Sequence, residues 1–195
     1  GAVGLRADGS IVDADLGTAS NVNGTAVHLA TDYGMVGDGS SAANRFEIDS
    51  TSLTTDVEGD LFVHETAGDL YVDDVVSRAG DAWLWTTGTA SILEFGDDAG
   101  ADVSAEDIRF ATGGAVGADA NDIEIDSSYG ATGSLYATAG GGVYLTETDG
   151  LLRVADVDAG GDVRLTVPDA AAAGDDLLVP SACRIRTTAG QILLY

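Results

Sequence analysis

The sequence predicts an all-β chain, a parallel β-helix (β-solenoid) of about 8–10 coils. Three observations carry that expectation. The first is repetition with a period of roughly eighty residues. NRFEIDS at 44–50 returns as NDIEIDS at 121–127, and GDLFVHETAGDLYVDDV at 59–75 returns as GGVYLTETDGLLRVADV at 141–157. AGD at 79–81 returns as GGD at 160–162, and VHLATDYGMVG at 27–37 is echoed by IRFATGGAVG at 108–117 and IRTTAGQILLY at 185–195. The second is a succession of short runs in which apolar residues alternate with polar ones, the period of a strand. The third is punctuation of those runs by Gly, Asp, Ser, Asn and Thr, with no stretch that reads as a helix. Strands this short could also build a duplicated antiparallel β-sandwich, but the repeat favours the solenoid.

The segments follow in order. Residues 1–43 read as a partial repeat, 44–120 as a whole repeat and 121–195 as another, all in a single solenoid segment. Alternation is plain in Leu61-Phe62-Val63, Leu70-Tyr71-Val72, Ala82-Trp83-Leu84-Trp85 and Ile123-Glu124-Ile125. It returns in Val143-Tyr144-Leu145, Leu152-Arg153-Val154 and Val163-Arg164-Leu165, each run bounded by Gly-Asp, Asp-Gly, Ala-Gly or Gly-Gly steps. The stretch from Pro168 to Gly174, with Pro at its start and Gly at its end, reads as a loop. Each unit is expected to hold about four coils of some twenty residues, giving a rod about 40–50 Å long. Leu61, Val63, Leu70, Val72, Val75, Leu84, Ile123, Ile125, Val143, Leu145, Leu152, Val154, Val157, Val163 and Leu165 are expected to point inward. A coil cannot bury that face alone, so its stability comes from its neighbours.

Charge narrows the function. The chain has 8 basic residues, all Arg, against 33 acids, for a net charge of −25. Such a surface repels nucleic acid and anionic membranes, which need positive charge to release counterions or meet headgroups. It suits a salty medium, where screening over about 8–10 Å relieves self-repulsion. Cys183 is the lone cysteine, so no intrachain disulfide can form, and its alternating neighbours make it a small buried hydrophobe. No apolar run reaches the ~20 residues of a membrane-spanning helix, and no signal peptide is visible. The chain opens on Gly-Ala-Val, already in pattern, and reads as an excised piece or a mature product.

The runs AGGDVRLT (159–166), AEDIRFATGGAV (105–116) and ETDGLLRVADVDAGGDV (147–163) share one grammar. A Gly-Gly-Asp or Ala-Gly-Asp turn is followed by an alternating strand and an Asp-Gly turn. In this the chain resembles the degenerate repeats of filamentous-haemagglutinin-type adhesins and related giant surface proteins, most clearly over 44–165. The resemblance implies a right-handed parallel β-helix, secreted and displayed at the cell surface, serving as a stalk or fibre. That family's amino-terminal secretion domain and its Asn- and Lys-rich coils have no counterpart here.

Chemistry-bearing residues are sparse. His28 and His64 align internally with Arg109 and Thr146, so neither position demands imidazole, and no paired His or Cys stands at metal-ligand spacing. No nucleophile elbow or phosphate loop is present. Carboxylates that a polysaccharide-active enzyme could use are Asp73-Asp74, Asp97-Asp98, Asp102, and Glu124 with Asp126. Glu47-Ile48-Asp49 recurs as Glu124-Ile125-Asp126, which reads as a repeated outward acidic face rather than a singular site. The expectation is a chain without catalysis and without a cofactor. Calcium is the one ion its Asp-rich turns invite, at 38–40, 96–102 and 117–122, although Asp that cap backbone amides explain the same residues.

Trp83 and Trp85 share the outward face of one strand. They read either as packing under a flanking segment or as a surface contact for sugar or a second subunit. Both ends, Val3-Gly4-Leu5 and Ile192-Leu193-Leu194-Tyr195, are apolar and in pattern. The partners expected are therefore flanking coils of the same chain or identical subunits, head to tail. A glycan or a cell surface is a further partner, and nucleic acid and membrane insertion are not.

Overall fold

The computed structural model describes residues 1–14, 17–39, 41, 44–129, 133–168 and 174–195. Residues 169–173, the centre of the expected loop, lie outside the described residues, as does Ser40. Seventeen strands form, with no helix among the described residues. They are β1 (Ala2–Ala7), β2 (Val22–Thr31), β3 (Phe46–Val57), β4 (Leu61–Glu65), β5 (Leu70–Ser77) and β6 (Ala82–Thr86). Next come β7 (Ile92–Glu94), β8 (Val103–Ser104), β9 (Ile108–Thr112), β10 (Ile123–Asp126), β11 (Leu135–Ala139) and β12 (Val143–Glu147). The last are β13 (Leu152–Ala159), β14 (Val163–Thr166), β15 (Leu177–Leu178), β16 (Arg184–Thr187) and β17 (Ile192–Leu194).

Strand neighbours pair in parallel, each with a strand one coil away. The sandwich alternative, which needs antiparallel ladders, is thereby set aside. One stack runs Ile11, Val36, Leu61, Ala82, Ile108, Leu135, Val154. A second runs Phe46, Val63, Leu84, Phe110, Ala137, Val157, Ile185. All fifteen residues expected to point inward are fully buried. Their apolar surface is removed from water by the rungs above and below, which is what holds the stack together.

The number of coils differs from expectation. The solenoid has about 7 turns, not 8–10, and at ~4.8 Å per turn it is roughly 30–35 Å long. The physical reason is that corners take up more chain than the strands suggest. One circuit needs 21 residues between Asp60 and Asp81 but 29 between Asp162 and Gln191. For the same reason the sequence repeat is not a whole number of coils. Leu61 and Val143, equivalent in sequence, stand in different stacks, because Val143 lies over Val116 and under Val163.

The Gly-Gly-Asp grammar has a steric and a polar cause. A Cβ on Gly113, Gly140 or Gly160 would stand 1.9–2.2 Å from the carbonyl oxygen of Gly88, Gly113 or Gly140. At that corner the backbones of successive coils approach too closely for any side chain. Asp residues at two corners accept from the next coil, Asp162 after Gly160-Gly161 and, at a separate corner, Asp60 and Asp81. Asp60 Oδ1 takes the Asp81 N–H at 3.0 Å, Asp81 Oδ1 the Asp107 N–H at 3.1 Å, and Asp162 Oδ1 the Gln191 N–H at 2.8 Å.

Among the described residues the stack is open at both ends. Strand β1 pairs with β2 alone, and β15, β16 and β17 each lie along one strand of the coil before them. No described residue after Leu165 is buried, and Ile192, Leu194 and Tyr195 are 42%, 48% and 66% exposed. Cys183 is half-buried with a free thiol.

Candidate functional site

Register builds a ladder of outward side chains along one face. Phe62, Trp83, Arg109, Tyr136, Asp156 and Arg184 follow one another coil by coil. Beside them run His64, Trp85, Ala111, Thr138, Asp158 and Arg186. Strand alternation puts these outside because Leu61, Val63, Leu84, Ile108 and Phe110 take the inside.

The two tryptophans stand where the sequence placed them, but neither presents a bare ring. Trp85 is only 9% exposed. The Arg45 guanidinium lies 3.7 Å from the Trp85 ring centroid, and the two indoles are 5.7 Å apart. Phe62 meets Trp83 edge to face at 5.4 Å. The Arg109 guanidinium sits 4.1 Å from the Trp83 centroid and 4.3 Å from that of Tyr136. Rings from the coils before and after Arg109 thus clamp its guanidinium between them, a geometry in which cation–π attraction and stacking act together. Arg45, Trp83, Trp85, Arg109, Tyr136, Thr138 and Asp156 border a cleft of about 250 Å³. His64, the rung before Trp85, is bonded through Nε2 to Thr87 Oγ1 at 2.9 Å. Burial, and then the charge of Arg45, hold His64 below the ordinary histidine range.

A second cluster lies elsewhere on the stack. Carboxylate oxygens of Glu94, Asp102 and Glu124 all lie within 4.8 Å of one another. Burial pushes Asp102 up to about 8, and repulsion from Glu94, Glu124 and Asp98 adds to it, against the Glu124 N–H, which Asp102 accepts at 2.9 Å. Burial, then Glu94, pushes Glu124 up to about 7. Chemically the trio can hold protons near neutrality or gather oxygen ligands around a cation.

The other expected acidic positions have different tasks. Asp73 and Asp74 form a bulge, with Asp74 in the left-handed region at φ 53°. In the turn 117–122, Asp119 and Asp122 hold Arg164, at 2.8 Å for the Nη1 to Asp119 Oδ1 contact. Asp38 accepts from Asn44 Nδ2 at 2.5 Å. Glu47 and Glu124 lie on the outward sides of their strands, alternating with the buried Ile48 and Ile125. Glu47 is nevertheless fully buried and Glu124 half-buried, so their recurrence does not make an exposed acidic face.

Sequence reasoning missed Glu65 and Glu147. These are equivalent in the repeat, and both are buried. Glu65 accepts the N–H groups of Ser50 and Ala67, each at 2.8 Å. Glu147 accepts the Ser127 N–H at 2.8 Å and its Oγ–H at 2.6 Å. The signal was present: extending the alternation of Leu61 and Val63 by one step points Glu65 inward, and EIDS supplies the serine in both copies.

Known proteins give no further guide, since no family model, no curated protein and no solved structure matches the chain.

Proposed function

We propose that this chain is a structural and adhesive repeat module of a secreted or cell-surface fibrous protein, without catalysis. It stacks end to end with further coils of the same polypeptide or with identical subunits. The observation that supports the reading most directly is the pair of open ends. Parallel edges with unpaired backbone groups and solvent-facing Ile192, Leu194 and Tyr195 form a surface that another coil would complete. The alternation and the Gly-Gly-Asp corners, shared with filamentous-haemagglutinin-type repeats, support it as well. The acidic surface suits an extracellular, salt-rich setting.

Sedimentation velocity and negative-stain microscopy across a concentration series test this. The expected result is concentration-dependent rods in multiples of the single stack, abolished by Ile192→Lys with Leu194→Lys. The double variant is also expected to melt at a different temperature once the rods have gone. A wild-type chain that stays monomeric at tens of micromolar, and melts as the variant does, overturns stacking between identical subunits and leaves further coils of the same polypeptide as the only cover for the ends.

A further inference from the structure

Most arginines of this acidic chain, namely Arg6, Arg78, Arg164, Arg184 and Arg186, hold a carboxylate, and Arg109 does not. Arg109 makes no ion pair and no hydrogen bond among the described residues, and its Nε is buried with no acceptor. Asp107 feels its charge without pairing to it. The Trp83 and Tyr136 rings fix the plane of the guanidinium from both sides. Its donors are therefore directed edge-on, at little further cost in side-chain entropy. A planar fork held this way matches the geometry of a carboxylate.

The rest of the cleft narrows the class of ligand. Thr138 offers an exposed hydroxyl two residues along the strand from Tyr136. Asp156 is the next rung after Tyr136, with Oδ1 taken by Arg184 Nε at 2.9 Å and Oδ2 approached by Nη2 at 3.4 Å. Aromatic edges, a hydroxyl, a carboxylate and one directed cation together fit a polyol that carries an acid group. A dense polyanion is disfavoured by the net charge of −25. A neutral sugar leaves Arg109 without its counter-charge.

We propose that this cleft binds a single carboxylated pyranose within an otherwise neutral glycan, with its carboxylate on Arg109 and its hydroxyls toward Thr138 and Asp156. The site lies along the flank of the stack, so it works whether or not the ends pair.

The chain has two tryptophans, both bordering the cleft, so intrinsic fluorescence reports on the site directly. The full chain is titrated at 0.15 M NaCl with a glucuronate-terminated disaccharide and, separately, with a sialylated lactose. These arms distinguish the two common sources of a sugar carboxylate, and saturable binding of either supports the proposal. The carboxyl-reduced disaccharide is expected to bind at least tenfold more weakly. Arg109→Gln is expected to lose at least tenfold and Thr138→Ala a few-fold, with Arg6→Gln unchanged. Arg109→Lys, which keeps the cation on the rings and removes the fork, guards against a folding defect and is expected to lose affinity too. Equal binding of the reduced sugar, indifference to Arg109→Gln, or sulfate or a phosphoserine peptide binding as tightly as the sugars overturns the proposal. So does a change of oligomeric state in Arg109→Gln, which would make the cleft a contact between copies.

Discussion

Glu147 is a carboxyl group sealed into the stack, and burial pushes it up to about 8 even though Ser127 donates to it twice. Glu65 is driven the same way, to about 7. With Asp102 and Glu124, these groups bind protons more tightly folded than unfolded. Their contribution to stability is therefore complete below the ordinary carboxylate range and is lost as pH rises through about 7–8. A tenfold difference in proton affinity is worth roughly 1.4 kcal/mol at the sealed Glu147, and less at the half-buried Glu124, where solvent screens it. The melting temperature is expected to fall steadily from pH 5 to pH 9 in a thermal scan. Glu147→Gln, which keeps an acceptor for the Ser127 N–H and carries no charge, is expected to flatten that slope and to melt above wild type at pH 9. A wild-type profile that rises over this interval contradicts the assignment. Repeating the scan with calcium tests the acid trio alone. A rise at pH 9 that Asp102→Asn removes would mean that a cation replaces the protons there.

Strands and corners make different demands on the sequence, and this sets how much of the fold could be read. Inward residues were legible because alternation has a strict period of two and the core accepts only apolar side chains. Leu84 and Val157 could be placed without knowing what lies above or below them. Coil number was not legible, because it depends on corner length, and corners such as the one closed by Asp162 and Gln191 follow no period. The aromatic–arginine cleft was half legible. Trp83 and Trp85 announced an outward face, but Arg45, Arg109 and Tyr136 join them only through register between coils, which no local pattern states. The same division predicts two kinds of damage. Phe110→Ala empties a fully buried rung and is expected to cost about 3–5 kcal/mol in a denaturant titration. Gly140→Ala adds one methyl, yet drives it against the Gly113 carbonyl 2.2 Å away. The corner must open, at an expected cost of ~1–3 kcal/mol. If Gly140→Ala were neutral, the close stacking of the glycine corner would be wrong, whatever the behaviour of Phe110.

For the whole molecule, the decisive quantity is charge on a slender stack. A net charge of −25 on 195 residues lies along a rod only roughly 30–35 Å long. Every carboxylate thus has others within a few Debye lengths at low salt. The few arginines relieve this locally, as where Arg184 and Arg186 take Asp156 and Asp158, but solvent screens such exposed pairs and each contributes little. Raising NaCl from 0.01 M to 1 M shortens the Debye length from about 30 Å to about 3 Å. It weakens those pairs slightly and cancels most of the self-repulsion, so the balance favours the folded state. Salt also lets two acidic ends approach, which end-to-end stacking requires. Both effects point the same way, and sedimentation separates them. The expected outcome is a melting temperature that climbs with NaCl in the monomeric Ile192→Lys/Leu194→Lys variant, and climbs further in wild type, where rods lengthen. Equal climbs in the two proteins would assign the whole effect to screening within one chain, while indifference to salt in both would mean that the acidic surface does not limit stability.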